Sequence, residues 1–171
     1  MSSRPARRED FEIAIICALP LEFDAASFLL EEAWEEYANK FGDTNYYTHG
    51  RIGKRSVVLV LLPGIGKAHA AAEAAALRTS YSGLQLALIT GICGAVPHPT
   101  HSSEILLGDV VISDFIIQYD LRRQYLDMFR RKNSVPDSLG RFSKDIRSTL
   151  QGCRADRGRE QLEERTAAFL Q

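Results

Sequence analysis

Two short segments of the chain contain residues whose types and spacing could support chemistry. Glu22 follows an apolar run, Glu12 to Ala18, at the predicted start of a helix, where the positive end of the helix dipole keeps a carboxylate ionised. Thr90-Gly91-Ile92-Cys93-Gly94-Ala95 follows a second apolar run, Leu84 to Ile89, and its glycines let bare backbone approach a bound molecule. Ligands of open α/β sheets bind at such places, so the sequence predicts a small-molecule site.

The chemistry available to Glu22 depends on what surrounds its carboxylate. Beside a crevice at the end of a sheet, an ionised carboxylate can act as a general base on water. A glutamate in the first turn of any helix has the same sequence pattern, however. On the residues alone, this purely structural interpretation is the favoured one.

The loop Gly64-Ile65-Gly66-Lys67 matches neither common nucleotide-binding pattern. It has Leu61 and Ala68 where a triphosphate-binding loop needs glycine and serine or threonine. His69 stands where a dinucleotide fingerprint needs its third glycine. Two interpretations stay open: a tight strand-to-helix turn, or a turn that contacts substrate.

The spacing of histidines and arginines favours neither a metal site nor a basic binding face. The four histidines lack a ligand pattern with acidic partners and are predicted to be solvated loop residues: His49, His69, His98 and His101. The arginines of Arg122-Arg123 and Arg130-Arg131-Lys132 are interleaved with Asp120 and Asp127, which favours a solvated helix face. The sequence therefore predicts no metal and no cofactor.

Composition indicates one intracellular α/β domain or a large piece of one. The 171 residues include 21 lysines and arginines and 22 aspartates and glutamates, so a net charge of −1 favours neither nucleic acid nor an anionic membrane as partner. The three cysteines lack paired metal spacing and are predicted to be reduced thiols in the cytoplasm. Residues 1–10 lack the apolar core of a signal peptide and are predicted to be a flexible leader.

Apolar periodicity alternates between strand and helix along the chain. The predicted strands are Glu12 to Ala18, Tyr46 to Arg51, Ser56 to Leu62, Leu84 to Thr90 and Asp109 to Phe115. The predicted helices are Pro20 to about Ala38, Lys67 to Ser80, Ser143 to about Gln151 and Asp156 to Leu170. The pattern predicts an α/β fold with a mixed central sheet flanked by helices. Because no buried strand is predicted after Phe115, the sheet is expected to be truncated in this chain.

Four segments in order resemble the purine and uridine phosphorylase superfamily. They are Ile13 to Glu22, Pro63 to Lys67 before an alanine-rich helix, Ile89 to Ala95, and Leu107 to Asp114. The chain is most similar to methylthioadenosine/S-adenosylhomocysteine nucleosidases and to nucleoside phosphorylase-like domains of fungi, which often precede NACHT or ankyrin-repeat regions. The resemblance implies such a domain over residues 11–171, with residues 120–171 similar to a helical insert of the fungal domains.

The resemblance also implies how the glycosidic bond is cleaved. Phosphorylases of the superfamily hold phosphate with arginines and a serine or threonine at positions that here are Glu22, Ile89 and Ile92. A phosphate dianion beside a carboxylate and two isoleucines would lose its donors. Glu22 instead matches the glutamate with which nucleosidases activate water. The resemblance therefore implies hydrolysis of purine nucleosides, with Glu22 as the catalytic residue.

Further site residues follow from the same resemblance. Leu19 and Ile65 are expected to line the pocket for the ribose 5′ group, and Ile92, Cys93 and Gly94 to lie against sugar and base. A methionine-glutamate pair that grips the ribose and an aspartate that protonates the leaving purine are not found before Gln171. The isolated chain is expected to be nearly inactive, since general-acid help contributes about 10²–10⁴-fold.

Three functions stay open at this point: a nucleosidase, a phosphate-dependent phosphorylase, and a non-catalytic sensing or regulatory module. The expected partner is a small-molecule nucleoside, and the family also implies a homo-oligomer. The preferred base and the 5′ substituent are not specified by the sequence.

Overall fold

Two compact units make up the chain in the computed structural model, Met1–Val96 and Pro97–Gln171. The structure describes residues 4–35, 37–98, 104–113, 122–124, 129–131 and 142–169. The division falls near residue 96, whereas the sequence changes character near residue 120.

The first unit is built on a mixed sheet with the strand order β2-β3-β4-β1-β5. Its strands are β1 (Ile13–Cys17), β2 (Glu32–Trp34), β3 (Tyr46–Ile52), β4 (Arg55–Leu61) and β5 (Leu86–Ile89), and its helices are α1 (Pro20–Ser27) and α2 (Lys67–Ser80). Strands β4 and β5 run parallel to β1 on either side of it. Strand β3 pairs antiparallel with β4, and β2 pairs antiparallel with β3. The predicted α/β fold with a mixed sheet flanked by helices is confirmed.

Strand β4 lies between two hydrophobic cores, one on each face of the sheet. Val57 and Leu59 pack with residues of α1 on one face, and Val58 and Val60 pack with Leu77 of α2 on the other. A strand that is covered on both faces has a continuous apolar sequence rather than an alternating one. This accounts for the run Val57 to Val60, and the predicted β3–β4 hairpin and the predicted α2 helix are both confirmed.

The helix predicted to extend to about Ala38 ends at Ser27, so this prediction is wrong in its second half. Strand β2 forms there instead, with Trp34 paired with His49 of β3. Pairing with β3 supplies hydrogen bonds and a packing surface for the same apolar residues. Local helical spacing is a weak preference that such tertiary contacts override.

Residues 4–10, predicted to be part of a flexible leader, make specific contacts within the first unit. Arg8–Asp10 form one turn of 3-10 helix. The Arg8 side chain is 6% exposed and donates to the Tyr37 carbonyl oxygen at 2.8 Å and to Asn39 Oδ1 at 2.9 Å. Its Nη1 lies 3.9 Å from a carboxylate oxygen of Asp43. A buried arginine with these partners belongs to the folded unit rather than to a leader.

The second unit contains a two-stranded antiparallel ladder and two helices. Its elements are β6 (Arg122–Gln124), β7 (Phe129–Arg131), α3 (Lys144–Arg154) and α4 (Asp156–Phe169). The two predicted C-terminal helices are confirmed within a few residues, although the predicted end at Leu170 lies outside the described residues. Within the described ranges, no helix has both the length and the apolar character needed to cross a bilayer.

The strand predicted from Asp109 to Phe115 is not found in residues 109–113, and Phe115 lies outside the described residues. The side chains of Val110, Val111 and Ile112 are exposed. No described strand pairs with this segment. Because a strand needs a neighbour for its main-chain hydrogen bonds, β-branched composition alone does not produce one.

The arginine-rich segment predicted to be a helix face forms β6 and β7 instead. Arg122 pairs with Arg131, and Arg123 pairs with Arg130. Lys132 of the same predicted face lies outside the described residues. The helical interpretation of this segment is therefore wrong.

His49 of β3 is buried, contrary to the prediction of a solvated loop histidine. It is 0% exposed, and its Nε2 lies 2.6 Å from the Tyr81 hydroxyl. The rings of Phe11 and Tyr37 pack edge-on against it at 5.3 Å and 4.7 Å. Burial, helped by the charge of Arg8, lowers the pKa of His49 to about 4. Two of the other histidines, His69 and His98, are exposed, and His101 lies outside the described residues.

We expect the free energy of unfolding to fall by about 2 kcal/mol from pH 7.5 to pH 5 through His49 alone, given a folded pKa of about 4 and an ordinary histidine pKa of 6.5 in the unfolded chain. The unfolded chain takes up a proton on His49 near the ordinary pKa, whereas the folded chain does not. The stabilisation that neutral His49 provides is therefore fully present above the pKa of His49 in the unfolded chain. It is lost as the pH falls toward the pKa of His49 in the folded chain.

Urea unfolding at several pH values measures this effect in the wild type, His49→Gln and His69→Gln. The His49 variant should lose the pH dependence between pH 7.5 and pH 5, because it has no proton to bind there. The variant of exposed His69 should keep it. An unchanged pH dependence in His49→Gln would contradict the assignment to His49.

Candidate functional site

The carboxyl ends of β4, β1 and β5 lie at one edge of the sheet, because these strands run parallel. Backbone hydrogen bonds continue just past the strand ends. The Leu62 amide donates to the Cys17 carbonyl oxygen at 2.9 Å, and the Thr90 amide donates to the Ile16 carbonyl oxygen at 3.0 Å. Open α/β sheets bind their ligands at this edge, where β1 leads to α1 and β4 leads to α2.

The Glu22 carboxylate joins two of the segments that leave this edge. Its Oε2 accepts hydrogen bonds from the Ala18 and Leu19 amides at 3.1 Å and 3.0 Å. Its Oε1 accepts a hydrogen bond from the Ile92 amide at 2.9 Å. Pro20 begins α1 with a backbone angle suited to the first turn, which places Glu22 in that turn. The side chain therefore connects the β1–α1 turn to the segment after β5.

Gly91 makes this close approach possible. A Cβ atom at position 91 would lie 2.6 Å from Glu22 Oε1 and 2.9 Å from Glu22 Cδ, closer than real Cβ contacts. Any side chain there would displace the carboxylate from the Ile92 amide. Gly94 of the same segment differs, because no atom lies within 4 Å of the position that its Cβ would take.

The main-chain donors lower the pKa of Glu22. The Ile92 N–H is the largest cause and the Leu19 and Ala18 N–H groups add to it, whereas partial burial acts in the opposite direction. Glu22 is therefore ionised at neutral pH. A carboxylate has about four acceptor sites, so three N–H donors leave one on Oε1 for a water molecule or a ligand. The lowered pKa also weakens Glu22 as a base, since proton transfer follows basicity.

A cavity of about 340 Å³ borders Glu22 in the first unit. Its lining is apolar apart from Glu22 and Thr90, and consists of Ile15, Leu21, Glu22, Ala25, Ala26, Leu29, Thr90, Gly91 and Ile92. None of the described residues that line the cavity is a lysine or an arginine. The volume is suited to a small organic molecule, and among these described residues Glu22 alone is charged.

Two of the six predicted site residues, Glu22 and Ile92, come together at the cavity. Ile92 borders it although its side chain is 74% exposed. Leu19 contributes its N–H to Glu22 but is not part of the lining. The remaining three lie outside the lining: Ile65, which is 73% exposed, Cys93 and Gly94.

The wall of the cavity formed by α1 and the residues just after it was not predicted from the sequence. Leu21, Ala25 and Leu29 recur every four residues, a spacing that places them on one side of a helix and could have identified them. The N–H donors of Ala18 and Ile92 have no such signal, because every residue other than proline carries the same donor.

Cys17 lies close to the site but is a structural thiol. Its Sγ is 3.3 Å from the Thr90 hydroxyl, and its side chain is buried. Burial raises the pKa of the Cys17 thiol, and the negative charge of Glu22 adds to this effect. The thiol is protonated at neutral pH and is no nucleophile.

We expect Gly91→Ala to break the hydrogen bond between Glu22 and the Ile92 amide, because the new Cβ would take the space of the carboxylate. Faster hydrogen exchange of the Ile92 amide and a higher pKa of Glu22 would report this change. Both are measurable by NMR on the folded protein.

Gly94→Ala is the matched control, because its Cβ would meet no atom within 4 Å. It should leave the exchange of the Ile92 amide and the pKa of Glu22 as in the wild type. If Gly91→Ala behaved like Gly94→Ala in both measurements, Gly91 would not be needed for the position of Glu22.

Comparison with known proteins identifies the family. Residues 12–168 match the phosphorylase superfamily. A nucleotide-binding leucine-rich repeat (NLR)-like protein of Hyaloscypha variabilis is 32% identical, and the match covers 82% of this chain and 15% of that protein. The crystal structure of Helicobacter pylori 5′-methylthioadenosine/S-adenosyl homocysteine nucleosidase shares the fold, with a TM-score of 0.55 at 18% identity. That match covers 83% of this chain and 57% of the nucleosidase chain. The chain belongs to the phosphorylase superfamily.

Proposed function

We propose that this chain binds a purine nucleoside as part of a nucleosidase-like domain, and that Glu22 positions the water that attacks the sugar. One observation carries this function: an ionised carboxylate borders an apolar cavity at the carboxyl ends of the parallel strands, with no lysine or arginine among the described residues that line it. Membership of the phosphorylase superfamily supports a nucleoside as ligand, and the nucleosidase that shares the fold supports a purine.

Hydrolysis breaks the bond between C1′ of the sugar and the base nitrogen, and the electron pair leaves with the base. The sugar passes through a positively charged, oxocarbenium-like transition state while the water oxygen forms the new bond to C1′. Glu22 stabilises this charge and accepts the water proton at its free Oε1 site. That proton passes to solvent, and the departing base takes up another.

Phosphate-dependent cleavage is disfavoured by the same residues. A phosphate dianion in this cavity would meet the like charge of Glu22. The main-chain donors of Ala18, Leu19 and Ile92 are already engaged by Glu22 and are not free to hold phosphate. The isoleucine side chains at positions 89 and 92 offer no donor.

A non-catalytic recognition module is a second candidate function. Three main-chain hydrogen bonds give Glu22 a structural role that needs no reaction, and its lowered pKa makes it a weaker base. The matched region is 15% of the NLR-like relative, so in that protein it is one segment of a much longer chain. Such a module would bind a nucleoside in the cavity without cleaving it.

Nucleoside binding and base release by the chain separate these functions. Because the sequence predicts low activity for the isolated chain, binding is measured first, by NMR titration with adenosine and methylthioadenosine. The amide signals of Gly91 and Ile92 should shift, since both residues line the cavity. Release of free base is then followed with and without phosphate, and we expect it to be independent of phosphate.

The matched variants are Glu22→Gln and Asp24→Asn, which make the same change of charge on the same helix. Glu22→Gln should retain binding and lower base release by at least about a hundredfold. Asp24→Asn should change neither, because Asp24 is exposed and does not line the cavity.

Each outcome distinguishes one function from the others. Phosphate-dependent release would overturn hydrolysis, and equal release by wild type and Glu22→Gln would remove Glu22 from the reaction. Binding without release by the wild type would favour the recognition module. If neither nucleoside bound, both functions would be contradicted.

A further inference from the structure

Two side chains near Glu22 form a contact that the proposed function does not use. They are Cys17, the last residue of β1, and Thr90, the first residue after β5. The Cys17 Sγ lies 3.3 Å from the Thr90 Oγ1, in a hydrogen bond in which either atom can be the donor. Cys17 is fully buried, whereas Thr90 lines the cavity beside Glu22. The contact therefore joins the core to a wall of the candidate site.

The same two parts of the fold are also joined by the hydrogen bond from the Ile92 amide to Glu22. Glu22 lies in the first turn of α1, five residues after Cys17. Ile92 lies two residues after Thr90. The segment after β5 is thus attached twice, to the end of β1 through Cys17 and to the start of α1 through Glu22.

Side-chain burial contributes little to the position of this segment. Thr90 is exposed as a whole residue, and the side chain of Ile92 is 74% exposed. Gly91 between them has no side chain, and glycine has the widest range of backbone conformations of any residue. The path of the chain from Thr90 to the Ile92 amide therefore depends on how these two residues are held.

The branched side chain of Thr90 links its hydroxyl to the backbone. The χ1 angle of a β-branched residue has few allowed values, and the backbone angles φ and ψ determine which of them is favoured. A hydroxyl that is held by Cys17 selects one χ1 rotamer and so restricts the backbone at position 90. This restriction sets the direction in which the chain leaves β5 toward Gly91 and Ile92.

Cys17 is suited to this task because its thiol stays neutral beside a carboxylate. Burial raises the pKa of the Cys17 thiol, and the negative charge of Glu22 raises it further. A neutral thiol can donate a hydrogen bond to a hydroxyl or accept one from it. The contact with Thr90 therefore adds no charge next to Glu22.

We propose that Cys17 and Thr90 are positioning residues, whose thiol–hydroxyl contact holds the segment after β5 so that the Ile92 N–H reaches Glu22. The contact acts on the reaction only through the carboxylate. Its importance for cleavage rests on the proposed function of Glu22, whereas its effect on the Ile92 amide needs no substrate. A chain that bound no nucleoside would contradict the proposed function and leave this effect measurable.

Thr90→Val tests the contact, because valine keeps the branched shape and lacks the hydroxyl. Hydrogen exchange of the Ile92 amide should become about fivefold faster, the effect of losing one hydrogen bond of ordinary strength. The pKa of Glu22 should rise toward the ordinary glutamate value, since the Ile92 N–H is the largest cause of its lowering. NMR on the folded chain without ligand measures both quantities.

The Leu62 amide and Thr79→Val are matched controls. The Leu62 amide donates to the Cys17 carbonyl oxygen on the other side of β1, so its exchange reports a general loss of stability. Thr79→Val makes the same substitution on α2, where the hydroxyl donates to the Ala75 carbonyl oxygen. It should change neither the exchange of the Ile92 amide nor the pKa of Glu22. Equal acceleration at Ile92 and Leu62 in Thr90→Val would overturn the positioning role.

Cys17→Ala removes the other partner of the contact. If the two side chains act as a unit, Cys17→Ala and the double variant should give about the same exchange of the Ile92 amide, relative to Leu62, as Thr90→Val alone. Independent, additive effects of the two substitutions would overturn the proposal. An unchanged Ile92 amide and an unchanged Glu22 pKa in Thr90→Val would also overturn it. Because Thr90 is exposed, Thr90→Val decides the matter even if Cys17→Ala does not fold.

Discussion

The three main-chain hydrogen bonds to Glu22 are the interaction on which the ligand edge of the sheet depends. They hold the β1–α1 turn next to the segment that follows β5. An ionised carboxylate is well suited to this task, because hydrogen bonds to a charged acceptor are stronger than neutral ones and because the start of α1 favours negative charge. Gly91 leaves the space that the carboxylate needs. One side chain thus orders a wall of the cavity and supplies its charge.

The same hydrogen bonds limit what Glu22 can do as a base. Donors that keep the carboxylate ionised also lower its affinity for a proton. A water molecule on the free Oε1 site would therefore be oriented and polarised first, and would pass its proton to Glu22 only as its bond to C1′ forms. In a nucleosidase the main contribution of Glu22 would be electrostatic stabilisation of the positively charged sugar. In a recognition module the same arrangement would shape the cavity and exclude a phosphate dianion.

Sequence patterns correctly predict the strands and helices whose spacing of apolar residues matches the faces that are buried in the structure. The apolar run Val57 to Val60 identified the strand that is covered on both faces, and Gly66, with a φ of 122°, marks the start of α2. The spacing of the apolar residues around Trp34 predicts a helix, and the partner that makes it a strand residue, His49, lies outside this local pattern. The arginine pairs of β6 and β7 were wrongly predicted to form a helix face for the same reason, because the spacing of residues along the chain does not reveal which residues pair across two strands. In the site, the position of Glu22 makes it a candidate and only the resemblance to nucleosidases favours a catalytic role, whereas its donor on Ile92 has no sequence signal, because a backbone N–H has no residue identity.

Titration of the Glu22 carboxyl carbon by ¹³C NMR tests most directly whether main-chain N–H groups hold this side chain. We predict a pKa below the ordinary glutamate value, with the Ile92 amide signal titrating at the same midpoint, since its N–H is the largest cause of the lowered pKa. The amide signals of Ala18 and Leu19 should follow the same curve. An ordinary pKa for Glu22, together with an Ile92 amide that does not respond to it, would contradict the central role given to these hydrogen bonds.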